Sequence, residues 1–378
     1  MTRSTEMFFG LIRMSIHGGE TDESPAFVNA AKAYWGDLFA LSARQGTVLL
    51  AYGGLQYLPD ELQPPRKLKL RWCANVVKGS ERYDHHRKVI TKLSQLFSDN
   101  GISMAVLKGL SISGLYPVPY YREGGDIDVY LFGSADKADK LIASHGIEVS
   151  HNIPKHSAFI FDGLMVENHR TFFDTDLRFR RESEFYGKME DMLSSMFSKG
   201  DCPAMELGHA LRLPAQAAAL YFIGHTFRHF CCTDINIRQL CDWTVFFTQC
   251  RPQIDSTLLS AQIKELGLES FVTGINSFCS TNLGFRPYFM VPDRPDTKSE
   301  RTIMNMVMKY RTESNKRIPV IGVVRNIFFR NRLYKKYLGR IRPSEFLYPE
   351  LKSYFSYLRK RVRREANTAP VCKDSAAS

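Results

Sequence analysis

The 378-residue sequence has no apolar run reaching the roughly 18–20 residues that a membrane-spanning helix needs, so no such span is expected. Its opening, MTRSTEMFFGLIRMSIHGGETDE, has too short an apolar stretch and too polar a sequel for a secretory signal. A cytoplasmic location follows as the expectation. The eight cysteines, Cys73, Cys202, Cys231, Cys232, Cys241, Cys250, Cys279 and Cys372, include no CxxC pair and no regular spacing. That pattern suits free thiols in a reducing compartment. There is no internal repeat. With 44% apolar and 24% charged residues the composition is ordinary for a globular chain, which excludes a disordered or fibrous one. At roughly 100–200 residues per domain, the length leaves room for two or three units with cores of their own.

Acidic residues are scarce in one region. Residues 301–364 hold 18 Lys and Arg against three acids (Glu313, Glu345 and Glu350), a net of +15 where the whole chain carries +12. The remaining residues are therefore slightly acidic as a set. Basic and aromatic residues interleave in RNIFFRNRLYKKYLGRIR and YFSYLRKRVRR. Such a segment can meet nucleic acid, an anionic membrane surface or another polyanion; the plain alternative is a solvated helical face.

Residues 1–100 read as a helical region. Ser24-Pro25 places a capping residue before a proline, and Phe27, Ala30, Ala31, Tyr34, Leu38 and Leu41 follow at helical spacing. After a loop, LPDELQPPRK, a second helical stretch runs from about Leu68 to Phe97, with Lys78-Gly79-Ser80 as a candidate break. From 101 to 182 the pattern changes to short apolar runs divided by Gly, Pro and Asp: ISMAVLKG, GDIDVYLFG, GIEVSHNI, HSAFIF and LMVENH. These read as strands, with SADKADKLIASH as a helix between two of them, and make an α+β core. Residues 183–300 read as a helical region packing on that core, including the whole of LGHALRLPAQAAALYFIGHTFRHF. Residues 301–366 form the basic helical segment and 367–378 a disordered tail.

The stretch with the most chemistry is Val106-Leu107-Lys108-Gly109, followed by Arg122-Glu123-Gly124-Gly125-Asp126-Ile127-Asp128-Val129-Tyr130. Alternation along a strand points Asp126 and Asp128 to the same face. Two like charges there raise a carboxylate pKa unless a cation offsets them. A hard divalent ion such as Mg²⁺ is the natural partner, since it takes oxygen ligands from one or two carboxylates and from substrate phosphates. The competing assignments are a turn or a helix-capping pair for the aspartates, a surface lysine for Lys108 and an Arg122–Glu123 pair in the loop.

This arrangement resembles the nucleotidyltransferase superfamily that includes DNA polymerase beta. It resembles in particular a bacterial family of nucleotidyltransferases, through Phe8-Phe9-Gly10-Leu11-Ile12-Arg13, Leu107-Lys108-Gly109, Tyr116-Pro117, Arg122, Gly125-Asp126-Ile127-Asp128-Val129-Tyr130 and Val166-Glu167-Asn168-His169. The resemblance implies a small mixed sheet between helical flanks. It also implies transfer of an NMP from an NTP to an acceptor hydroxyl with release of pyrophosphate, Mg²⁺ (or Mn²⁺) being the cofactor. Asp126, Asp128 and a third acid would hold the metal, while Lys108, Gly109, Arg122 and Gly125 would contact the nucleotide. The acceptor is left open among a small molecule, a protein and an RNA end. In this sequence Gly109 is followed by Leu110, where the superfamily usually has Gly or Ser, so the phosphate-binding turn is expected to be reshaped, with Ser111 or Ser113 supplying the hydroxyl.

For the third acid, His156–Phe161 and Leu164–His169 read as a hairpin around an Asp162-Gly163 turn. Met165, Glu167 and His169 then share a face, and Glu167 can join the aspartates from a neighbouring strand. The rival is Asp174-Thr175-Asp176; the apolar setting of Glu167 favours Glu167. His169 is expected to orient Glu167 or its loop. His225 and His229, four apart on a helix, read either as zinc ligands or as structural or substrate-lining residues, and the surrounding aromatics favour the second. Arg238 and Asp242 read as a helical ion pair, with Trp243 and Phe246 facing inward. The alternative function is a non-catalytic nucleotide- or polyanion-binding protein that uses the basic C-terminal helices.

Overall fold

The computed structural model describes residues 2–309 apart from 22, 31, 154, 176–179, 233–234 and 295. The basic segment lies outside the described residues beyond its first few positions, as do the tail and Asp176.

The five apolar runs singled out in the sequence each form a strand: β1 (Ala105–Val106), β2 (Ile127–Tyr130), β3 (Ser150–Ile153), β4 (His156–Phe161) and β5 (Leu164–His169). A sixth, β6 (Leu211–Arg212), completes a mixed sheet of order β3-β4-β5-β2-β1-β6. The fold class is α+β. β2 runs parallel to β5 with Asp128 opposite Glu167, and β1 antiparallel to β2. The hairpin β4–β5 is antiparallel, in the register that a two-residue Asp162-Gly163 turn imposes.

The helices are α1 (Arg3–Ile16), α2 (Lys32–Gln45), α3 (Val48–Leu55), α4 (Arg66–Asp99), α5 (Leu110–Ser113), α6 (Ala135–Ser144), α7 (Arg180–Ser195), α8 (Ala215–Cys232), α9 (Ile237–Gln249), α10 (Ser256–Glu265), α11 (Glu269–Leu283) and α12 (Thr297–Lys309). One sheet face is closed by α4 and α6. There Val89, Ile90, Leu93 and Phe97 meet Ile127, Val129, Val166, Ala138 and Ile142 in one buried cluster. Because alternation sends Ile127 and Val129 to that face, Asp126 and Asp128 are left on the other. A larger core joins α1–α3 to α8–α12, so the two helical flanks pack as one body. Phe9 meets Phe278 edge-on at 6.2 Å, and Arg13 donates to the Asn282 carbonyl at 2.9 Å.

Three local expectations change. The proline at Ser24-Pro25 opens only a 3-10 turn, Ser24–Phe27; Asn29 then takes a positive φ, and the helix begins at Lys32. The break is held by Phe27, which is buried and stacks on Trp35 at 5.5 Å. The helix α4 runs through Lys78-Gly79-Ser80 without interruption, because Gly79 serves packing: a Cβ there would overlap the Leu49 side chain of α3. Finally, Leu211–Arg212 pairs with β1 instead of opening a helix, which starts only after Pro214.

Candidate active site

The strand β2 delivers Asp126 and Asp128 to one face, and β5 delivers Glu167 beside them. An oxygen from each of the three carboxylates lies within 4.8 Å of the others. They differ in exposure: the Asp128 side chain is 2% exposed, Glu167 25% and Asp126 44%. Asp174 is not part of this group.

Lys108 follows β1 directly, where the Leu107 amide donates to the Asp128 carbonyl and continues the ladder. Its Nζ stands 3.0 Å from Asp128 Oδ2 and 3.9 Å from Asp126 Oδ2. On the other side, His169 Nε2 lies 3.0 Å from Asp128 Oδ1 and 3.5 Å from Glu167 Oε2. An ionised carboxylate has no proton to give, so Nε2–H is the donor to Asp128. Burial pushes the Asp128 pKa up, but the Lys108 ammonium and then His169 outweigh it and hold the carboxyl well below the usual carboxylate range. Lys108 shows the converse: burial lowers its pKa, while Asp128 and then Asp126 hold it above the ordinary lysine value. For Glu167 the His169 ring beside it outweighs burial and Asp128, and its pKa falls. The like-charge repulsion read from the Asp-x-Asp pair is therefore neutralised from within the chain. The oxygen-only donor set of Asp126, Asp128 and Glu167 fits a hard divalent cation.

The turn after Lys108 is tight. Gly109 takes φ 70° and ψ −112°, a region that disfavours residues bearing a Cβ, before α5 begins. Ser113 is buried and donates to the Leu110 carbonyl, whereas Ser111 is partly exposed. The Gly125 carbonyl is held by His86 Nε2 of α4 at 2.8 Å, just before Asp126. Arg122, expected on the nucleotide, is turned away. Its Nη2 and Nε donate to Asp242 of α9 at 2.7 and 3.1 Å, and the Tyr116 hydroxyl donates to the same carboxylate at 2.7 Å. Two sequence pairings are corrected by this contact. Arg122 does not pair with the Glu123 carboxylate, and the partner of Asp242 is Arg122, with Arg238 donating instead to the Glu123 carbonyl. The Trp243 and Phe246 side chains are buried as expected.

An aromatic path leads from β2 to α8. Tyr130 stacks on Phe172 at 4.2 Å, Phe172 meets Tyr221 at 6.0 Å, Tyr221 stacks on His225 at 5.8 Å, and His225 meets His229 at 4.5 Å. No third His, Cys, Asp or Glu joins these two histidines among the described residues, so they fit a lining role better than a zinc site. Burial, then the positive charge of Lys108, pushes both histidines down, His229 to about 4. Lys155, also buried, is lowered to about 8 by burial and then by Arg228. Lys155, His156 and Tyr221 were missed in the sequence as site residues.

The His229 shift has a measurable consequence. Its folded pKa lies below its unfolded value, so between pH 6.5 and 4 the unfolded chain takes the proton first and stability falls on acidification. From pH 7 to 5 this residue should contribute about 2 kcal/mol of the loss, at roughly 1.4 kcal/mol per pKa unit. Urea midpoints across that range should decline less steeply in His229→Gln; parallel curves contradict the assignment.

A family model described as "Uncharacterised nucleotidyltransferase" matches residues 31–284. No curated protein and no solved structure matches the chain. The matched span runs from α2 to α11 and includes all six strands and every residue of the site, and the chain belongs to this nucleotidyltransferase family.

Proposed function

We infer that the protein moves an NMP from an NTP to an acceptor hydroxyl and releases pyrophosphate, with Asp126, Asp128 and Glu167 as its catalytic carboxylates. The observation that carries this reading is the convergence of three carboxylates from two adjacent parallel strands beside Lys108, in a chain of this family. Mg²⁺ (or Mn²⁺) held by the three acids would supply charge neutralisation at the reacting phosphate and a more acidic acceptor hydroxyl. The acceptor oxygen attacks the α-phosphorus, the new P–O bond forms, and the bond from the α-phosphorus to the bridging oxygen of pyrophosphate breaks.

Glu167, kept ionised by His169, receives the acceptor's hydrogen bond and favours loss of its proton. Lys108 neutralises the carboxylates while the site is free and turns to the triphosphate as it binds. Gly109 and Gly125 let the backbone approach the phosphates, and Arg122 acts at one remove by fixing the 109–125 segment to α9. The acceptor, a small molecule, a protein or an RNA end, enters over the face lined by α8. An anionic partner for residues 301–364 and a cytoplasmic location belong to the same proposal.

Pyrophosphate release from each NTP, with extract as the source of acceptor, tests the reading. Release should require Mg²⁺ or Mn²⁺ with at least one nucleotide, and a non-catalytic binding protein gives none. Within that assay, Glu167→Gln should lower kcat by about a hundredfold or more with KM nearly unchanged, since an interaction made in the transition state appears in turnover. Asp174→Asn should stay within about twofold of the unsubstituted protein. A reversed pattern moves the third carboxylate to Asp174.

A further inference from the structure

The β4–β5 register places His156 directly opposite His169, with Glu167 two residues before His169 on the same strand. All three side chains therefore stand on the face that carries Asp128. His156 Nε2 lies 3.6 Å from Glu167 Oε1, His169 Nε2 lies 3.5 Å from Glu167 Oε2, and one ligand atom from each of the three residues falls within 4.8 Å of the others. Both distances to Glu167 are too long for good hydrogen bonds. They match the separation of roughly 3.4 Å between ligand atoms around a tetrahedral ion bonded at about 2.0–2.2 Å.

His169 Nε2–H donates to Asp128 Oδ1 at 3.0 Å in the metal-free chain, and that proton leaves when Nε2 takes an ion. The His156 side chain is 10% exposed and that of His169 0%, and the Nδ1 atoms of both are buried without a hydrogen-bond partner. A buried ring nitrogen left without a partner carries a desolvation cost, so neither imidazole is fully satisfied by the fold alone. The two rings lie 5.2 Å apart with a 30° tilt, leaving both Nε2 atoms on the Glu167 side.

We propose that His156, His169 and Glu167 form a second cation site, distinct from the all-oxygen site, that takes a divalent transition-metal ion of the zinc class. Imidazole nitrogen favours such ions, whereas Mg²⁺ prefers oxygen and gives up its water reluctantly. Glu167 is common to both sites, so the two ions differ in kind and meet at one carboxylate. The three-residue set leaves a coordination position open, which suits a site that takes a further ligand. The second site rests on ligand geometry alone and stands whether or not the protein transfers nucleotides.

Titration of the metal-free full chain with Co²⁺, read by its visible absorption bands, tests the site. One equivalent should bind, Zn²⁺ should displace it, and a hundredfold excess of Mg²⁺ should not. His156→Gln should weaken Co²⁺ binding at least tenfold, while Asp126→Asn should leave the bands in place. In the unsubstituted protein, which needs no variant to fold, Zn²⁺ should shift the ring NMR signals of His156 and His169 among the ten histidines. Displacement of Co²⁺ by Mg²⁺, unchanged binding in His156→Gln, loss of the bands in Asp126→Asn alone, or unmoved His156 and His169 signals each overturns the proposal. Pyrophosphate release is read separately, so a negative result there leaves the metal titration intact.

Discussion

Asp128→Asn should lower nucleotidyl transfer by at least about a thousandfold, the equivalent of ~4 kcal/mol of barrier. Asp128 is the most buried of the three acids and the one that both Lys108 and His169 touch, each at 3.0 Å. The same substitution should also weaken the fold. From the sequence alone, neutralising one member of an Asp-x-Asp pair relieves repulsion. Here the buried carboxylate is already compensated, and its amide replacement leaves the half-buried Lys108 ammonium with Asp126 at 3.9 Å and the more distant charge of Glu167. Removing one partner of a buried pair costs several kcal/mol because the other charge stays buried; partial access to water at Lys108 puts the expected loss nearer 2 kcal/mol. Asp126, 44% exposed, provides the contrast: Asp126→Asn should impair transfer strongly while shifting stability by less than about 0.5 kcal/mol. Equal stability losses in the two variants, measured by urea denaturation, contradict this division.

The second large effect lies away from the reacting atoms. Arg122 and Asp242 are both nearly inaccessible, and their two-point contact ties the loop before β2 to α9, with Tyr116 completing the carboxylate's hydrogen bonds. Arg122→Met or Asp242→Leu should each cost about 3–5 kcal/mol, since each leaves an uncompensated buried charge. The double substitution should recover most of that loss, because no orphaned charge remains. A small stability cost accompanied by a large rise in KM for the NTP gives the opposite assignment, with Arg122 on the triphosphate.

Local order made much of this legible. Glycine punctuation and apolar runs marked five of the six strands, and alternation placed Asp126, Asp128 and Glu167 on one face because that period is fixed by strand geometry. The hairpin also contained His156 in readable form. A two-residue turn at Asp162-Gly163 pairs position 161 with 164 and, stepping outward, 156 with 169. What escaped detection depends on distant chain. The partner of Asp242 is 120 residues away, so the i,i+4 rule offered Arg238 instead. Gly79 resembles a helix breaker until Leu49 is packed against it. The two residues of β6 carry too little pattern to be seen without β1 beside them. Lys155 and Tyr221 gain their chemistry from burial near the carboxylates, which no local window records.

The central claim concerns which phosphate moves. Incubation of the protein with NTP labelled either at the α- or at the γ-phosphate, in the presence of Mg²⁺ or Mn²⁺ and cell extract, tests it most directly. Transfer of the α-label to an acceptor, with the γ-label appearing in pyrophosphate, and loss of both signals in Asp128→Asn is the result predicted for these carboxylates. Transfer of the γ-label, or no transfer of either label with any nucleotide, contradicts it.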